Sequence, residues 1–209
     1  MKQPNNYENT QAAGSFEPIA LGGHKMIIKQ VVERTTKNGD PMVVVLLDTD
    51  RSDSQPNYFS KMFADDIRPD KKWPNAGTVY ITTEYNGECT RNFKGFCTAA
   101  EKSTPGFKIT WGDGFCKCLK NKPIGGIYRT EIGWYNGKET NQNKLAWFCE
   151  IDKAKDAEIP KPYETKDYKA HAEKSGVSGS AMSKAIPSAD GDGFMNIPDG
   201  IDDDEIPFN

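Results

Sequence analysis

The absences in this chain narrow its class before any motif is read. No apolar run approaches the ~20 residues needed to span a bilayer. The opening stretch MKQPNNYENTQAAGSFEP has no apolar core, so it does not read as a secretory signal. A cytoplasmic protein without membrane association is the expectation. The five cysteines, Cys89, Cys97, Cys116, Cys118 and Cys149, contain no C-x-x-C pair, and there are only two histidines, which argues against a zinc ribbon. Their odd number, in a 209-residue chain long enough to build a core without bridges, points to reduced thiols. Cys116 and Cys118 read as small residues of a half-buried strand rather than metal ligands. No G-x-x-x-x-G-K-[ST] pattern surrounds Gly22-Gly23, and neither His24 nor His171 has an evident Ser or Cys partner. No catalytic residue, metal or cofactor is expected.

Net charge is also small, at −3, but its distribution is uneven. Lys184 is the last basic residue, and seven acids lie beyond it. Without them, 23 acids face 27 Lys plus Arg, so residues 1–184 carry +4. A mildly basic body with an acidic tail is the pattern. The mean hydropathy of −0.73 indicates that part of the chain does not pack.

The organisation follows from periodicity and turn residues. Residues 1–15 are polar and read as a flexible arm, with order expected from about residue 16. HKMIIKQVVER (24–34) reads as a long strand, Asn38-Gly39 as a hairpin turn, and MVVVLLD (42–48) as a central strand apolar on both faces. NYFSKMF (57–63) reads as a third strand and TVYITTEY (78–85) as a short one. Phe93, Phe96, Cys97 and Ala100 then share one face of a helix over 91–103, with Asn92 as its cap. GFKITW and FCKCL read as an accessory hairpin. PIGGIYRTEIGWY (123–135) is the fourth main strand, with a bulge or bend at Gly125-Gly126; NGKETNQN is a loop; KLAWFCEID (144–152) is the fifth strand. YETKDYKAHAEK (163–174) could form a short surface helix, residues 161–200 read as mostly disordered linker, and 201–209 as an acidic tip.

This order predicts a mainly β protein: an OB-fold-like five-stranded barrel over 16–160, with one helix between strands 3 and 4 and a disordered acidic C-terminal tail. Such barrels hold single strands through cations on phosphates and flat rings on bases. The chain interleaves the two types. The candidate DNA-binding residues are Lys25 and Lys29 on one face of the first strand, Lys37 in the first hairpin loop, Tyr58 with Lys61, Lys72 with Trp73, Arg91 with Lys94, Tyr128 with Arg129, and Trp134 with Tyr135. Phe93 and Phe96 are expected in the core, and Trp147 and Phe148 on opposite faces of their strand. Two rival readings are a protein-binding adaptor, and a metal-dependent nuclease using Asp48 and Asp50 with Glu84 or Glu101.

The chain finishes IPDGIDDDEIPFN. Residues Asp202, Asp203, Asp204, Glu205, Ile206, Pro207 and Phe208 resemble the C-terminal tip of bacterial single-stranded DNA-binding proteins, where an acidic stretch ends in Ile-Pro-Phe and docks repair and replication enzymes. In that family the phenylalanine is the last residue, whereas here Asn209 follows it. Residues 16 to about 160 also resemble phage-encoded single-stranded DNA-binding or replication-associated proteins of Gram-positive hosts. The shared words are Gly22-Gly23 before a long strand, Lys72-Trp73-Pro74, Phe93 to Phe96, and Pro105 to Phe107. These resemblances imply binding and protection of single-stranded DNA, with replication and recombination proteins as partners of the tip and a homo-oligomer as an option. A flexible linker of ~26 residues would give the tip a reach of about 28 Å.

Overall fold

The computed structural model describes residues 1–5, 7–9 and 17–174. The acidic tip and most of the expected linker lie outside the described residues, as does Phe16.

Strand β1 (Gly22–Thr35) alternates inward and outward residues, as a strand with one face on the core must. His24, Met26 and Ile28 point inward. At Lys29 the pairing with β2 slips by one residue, and after this bulge Val31 points inward instead. An extra residue in a period-2 element reverses its faces. Strand β2 (Pro41–Thr49) is buried along eight consecutive residues, Met42 to Thr49, in keeping with its apolar sequence on both faces.

The next segment departs from expectation. Residues Tyr58–Asp65 form helix α1, not a third strand. Phe59, Met62 and Phe63 repeat at i, i+3 and i+4, a helical face that the aromatic, strand-like composition masks. The helix begins on Asp48, whose Oδ1 accepts from the amides of Phe59 (3.0 Å) and Ser60 (3.2 Å) and whose Oδ2 accepts from the Ser60 hydroxyl. A buried carboxylate at the helix start satisfies amides that have no partner within the helix. Chain then returns through the buried Trp73 to β3 (Thr78–Thr82), which is followed by the small ribbon β4 (Glu84–Tyr85) and β5 (Glu88–Cys89).

Helix α2 (Arg91–Ser103) has the predicted bounds and buries Phe93, Phe96, Cys97 and Ala100. Its cap is Thr90 rather than Asn92: the Thr90 hydroxyl accepts from the Phe93 amide at 3.2 Å. The expected accessory hairpin is absent. FCKCL is instead the short helix α3 (Phe115–Leu119), with Phe115 and Leu119 buried at i, i+4. Strands β6 (Pro123–Tyr135) and β7 (Lys138–Cys149) then form a long hairpin. The expected loop NGKETNQN is mostly strand, because Asn136 (φ 48°) and Gly137 (φ 78°) close a two-residue turn. Positive φ at both positions suits the twist of the flanking strands. The bulge of this pair falls at Ala146, not at Gly125-Gly126. Beyond it lie α4 (Ile151–Ala154), β8 (Tyr163–Glu164) and α5 (Lys166–Lys174), so residues 163–174 are structured rather than linker. A Cβ on Gly23 would lie 1.6 Å from the Ala154 carbonyl oxygen, so the seat of α4 on β1 requires glycine there.

The sheet order is β3-β2-β1-β6-β7, antiparallel throughout, with β8 added in parallel to β6. Within it β6-β1-β2-β3 is a Greek key: a fourth strand returns by a long connection to lie beside the first. The protein is thus mainly β. The sheet does not close into a barrel, since β3 and β7 end its hydrogen-bonded path. Tyr128 lies at the core centre, fully buried, its hydroxyl donating to the Ala76 carbonyl at 2.9 Å. No helix of the described residues is long and apolar enough to cross a membrane.

One buried ion pair ties the chain's return after β2 to β1. Both ring nitrogens of His24 face acceptors: Nδ1 lies 2.9 Å from Asp53 Oδ1 and Nε2 lies 3.0 Å from the Ala20 carbonyl. Asp53 also accepts from the amides of Lys25 and Gln55. Burial works against charge on His24, but the hydrogen bonds to Asp53 and Ala20 outweigh it and raise its pKa above the usual value. Burial opposes charge on Asp53 too, and the His24 contact together with the amides of Gln55 and Lys25 outweighs it to lower that pKa.

Two outcomes are expected. Asp48→Ala should lower unfolding stability by about 2–4 kcal/mol in urea titrations, the sum of a lost cap and stranded buried donors. The raised pKa of His24 stabilises the fold fully below its unfolded value near 6.5, and this contribution is lost as pH rises through the folded pKa. The depressed pKa of Asp53 stabilises above its unfolded value near 3.8, and this is lost as pH falls through the folded pKa. Urea midpoints of the native chain should therefore fall as pH rises above about 6.5, and Asp53→Asn should remove much of that slope.

Candidate nucleic-acid interface

The structure disperses the predicted cation–aromatic set. Trp73 and Tyr128 belong to the core, not to a stacking surface. The Trp73 ring nitrogen donates to the Leu47 carbonyl at 2.9 Å, and its ring packs on Phe63. Large rings in strand-rich segments are the largest available apolar volumes, and this core uses both. Tyr58 sits on α1, half-buried, with its hydroxyl bound to the Glu17 carbonyl; burial pushes its pKa up to about 12. Lys61 is exposed on α1, while Lys72 is half-buried. Lys25 and Lys29 are half-buried on β1, with Lys29 at the bulge, and Lys37 is exposed in the first hairpin turn.

A second group gathers on the β6–β7 hairpin. Arg129 lies over the Tyr163 ring at 4.4 Å, and Trp134 stacks on His171 with ring centroids 3.5 Å apart. Tyr135 is exposed at the turn. The strap formed by β8 and α5 therefore already occupies two of these groups.

Arg91 and Lys94 are brought together with cations that the sequence reading did not name. They line a cleft of roughly 670 Å³ between α2 and the end of β7, with Lys102, Lys153, Phe148 and Glu150 among its other walls. Glu150 bridges Lys102 (3.1 Å) and Lys153 (3.0 Å), and these hydrogen bonds, to Lys153 first, hold its carboxyl below the usual range. All three side chains are partly or largely exposed, so the bridges are easily exchanged for another anion. Phe148 packs against Phe96 beneath the cleft, while Trp147, on the other face of β7, is exposed, as strand alternation requires.

A signal for Lys102 was present. Arg91, Lys94, Thr98 and Lys102 follow helical spacing opposite the buried face of α2, so the same periodicity that located the core located the cationic stripe. Lys153 had no such signal, because it arrives through the turn after β7.

The carboxylates of the nuclease reading do not meet. Asp48 is buried and engaged by α1. Asp50 holds the amide and hydroxyl of Ser52, which lower its pKa, and Glu101 accepts from the Ile109 amide and Lys108. Among the described residues no three His, Cys, Asp or Glu side chains are grouped to hold a metal ion. No protein-family model matches the chain, and no curated protein matches it.

Proposed function

We propose that this protein binds and protects single-stranded DNA without sequence preference during replication or recombination, and that its acidic tip recruits partner proteins. The observation that carries the reading is the cleft of Arg91, Lys94, Lys102 and Lys153 over an apolar floor. Four cations along one groove suit a phosphate chain, and the exposed bridges of Lys102 and Lys153 to Glu150 can yield to it. The fold supports the same reading. A Greek-key sheet with α2 between β3 and β6 corresponds to an OB-type barrel opened between β3 and β7, an architecture that often holds oligonucleotides. The resemblance of the chain end to the tips of bacterial single-stranded DNA-binding proteins, and of the body to phage-encoded ones, adds independent support. On this reading the protein is encoded by a phage or mobile element and coats single-stranded DNA in the host cytoplasm without catalysis.

The tip divides labour with the body. Carboxylates Asp202 to Glu205 steer toward a basic rim on a partner, and Phe208 supplies about 1.5–3 kcal/mol when buried there.

Oligo-dT titrations test the first half. With four phosphate contacts the slope of log affinity against log salt should be about −2.8, and Arg91→Ala with Lys94→Ala should reduce it by about 1.4. Affinity independent of salt would contradict the reading. Deletion of residues 199–209 should preserve or raise DNA affinity while abolishing partner capture; loss of DNA binding would contradict the division of labour.

A further inference from the structure

Trp111 is 65% exposed, yet it is held in place rather than loose. Its ring stacks on Phe115 with centroids 5.6 Å apart and planes 13° apart, and Phe93 meets it edge-on at 6.3 Å. Phe93 and Phe115 are themselves buried and in contact at 5.7 Å. One face of the indole is therefore supported from below, and the ring forms a wall of a groove of roughly 800 Å³. Met42 and Phe115 add apolar lining, and Glu33, Arg34 and Glu84 stand at its sides. An exposed large ring fixed in orientation carries more information than an exposed ring on a mobile side chain.

This groove adjoins the cationic cleft. Cys89 lines both, so the two meet at the N-terminal end of α2. Their chemistry is complementary. The cleft offers Arg91 and Lys94 to phosphates, while the groove, with two carboxylates against the single guanidinium of Arg34, is less favourable to phosphate and suits a flat group. Other rings are buried or engaged, or lie off these two surfaces: Trp73 and Tyr128 are buried, Trp134 is covered by His171, the Tyr58 hydroxyl is tied to Glu17, and the exposed Tyr85, Tyr135 and Trp147 line neither the cleft nor the groove. On the strand 2–3 face, where OB-type barrels often bind, β2 offers no surface because it is buried on both sides, while β3 stays half-exposed.

Resting on the single-stranded DNA reading, we propose that Trp111 is the base-stacking platform of the site, and that a strand crosses the first turn of α2, phosphates in the cleft and a base on Trp111. The support from Phe115 holds the platform in place before the nucleotide arrives, which limits the ordering cost of binding.

The full chain has four tryptophans, so intrinsic fluorescence can locate the contact. Oligo-dT should quench the native chain. Trp111→Phe, which keeps a ring, should retain most of the affinity but lose most of the quench, whereas Trp147→Phe should keep both. Trp111→Ala should weaken binding by about 5- to 150-fold, the equivalent of one lost stacking contact, with the salt slope unchanged because no phosphate contact is removed. Urea midpoints of the variants, expected to fall only modestly because Trp111 packs on Phe115 yet is largely exposed, separate a folding defect from a binding defect. Native affinity and quench in Trp111→Ala would overturn the platform while leaving the DNA reading intact. Absence of any oligo-dT binding by the native chain at low salt would overturn both.

Discussion

The burial of β2 on both faces is the constraint from which the rest of the architecture follows. A strand of Met, Val and Leu with no polar face can exist only where other elements cover each side. The chain meets this by placing β1 and β3 along its edges and by folding the segment after it, α1 and Trp73, back onto the same core. Asp48 at the end of β2 makes that return possible, because its carboxylate serves the unpaired amides at the start of α1. A carboxylate buried for this purpose gains its stability from the hydrogen bonds it accepts.

Covering β2 has a consequence for function. A strand sealed on both faces offers no surface to an extended ligand, so the proposed site lies off β2. The amphipathic helix α2 resolves this: its apolar face closes the core through Phe96 on Phe148, and its polar face turns Arg91, Lys94 and Lys102 outward beside Lys153. Core packing and the cationic stripe are two sides of one helix. The β6–β7 hairpin, by contrast, spends Arg129 and Trp134 on contacts with Tyr163 and His171, which fasten β8 and α5 to the sheet.

The sequence made some of this legible and hid the rest for identifiable reasons. Strands β1, β2 and β6 and helix α2 carry long apolar patterns bounded by turn residues, and their bounds are legible to within a residue or two. Helix α1 was misread because its eight residues are rich in aromatics and its start depends on Asp48, ten residues earlier in the chain. Strand β7 was read short because its first half is polar, and only the Asn136-Gly137 turn marks the true register. At the site, local adjacency of a cation and a ring proved a weak guide. Trp73 follows Lys72 and Tyr128 precedes Arg129, yet both rings are core, since neighbours along a strand or turn need not share an environment. The cleft joins residues more than fifty positions apart, Arg91 with Lys153, and nothing local marks that meeting.

Hydrogen–deuterium exchange across the whole chain, with and without oligo-dT, tests most directly the claim that ligand recognition lies at the α2 end. The account predicts protection of amides around residues 89–95, 111–115 and 149–153, and no change in the two hairpin turns at 36–40 and 135–138. Protection confined to those turns, with the start of α2 exchanging as freely as before, would contradict it.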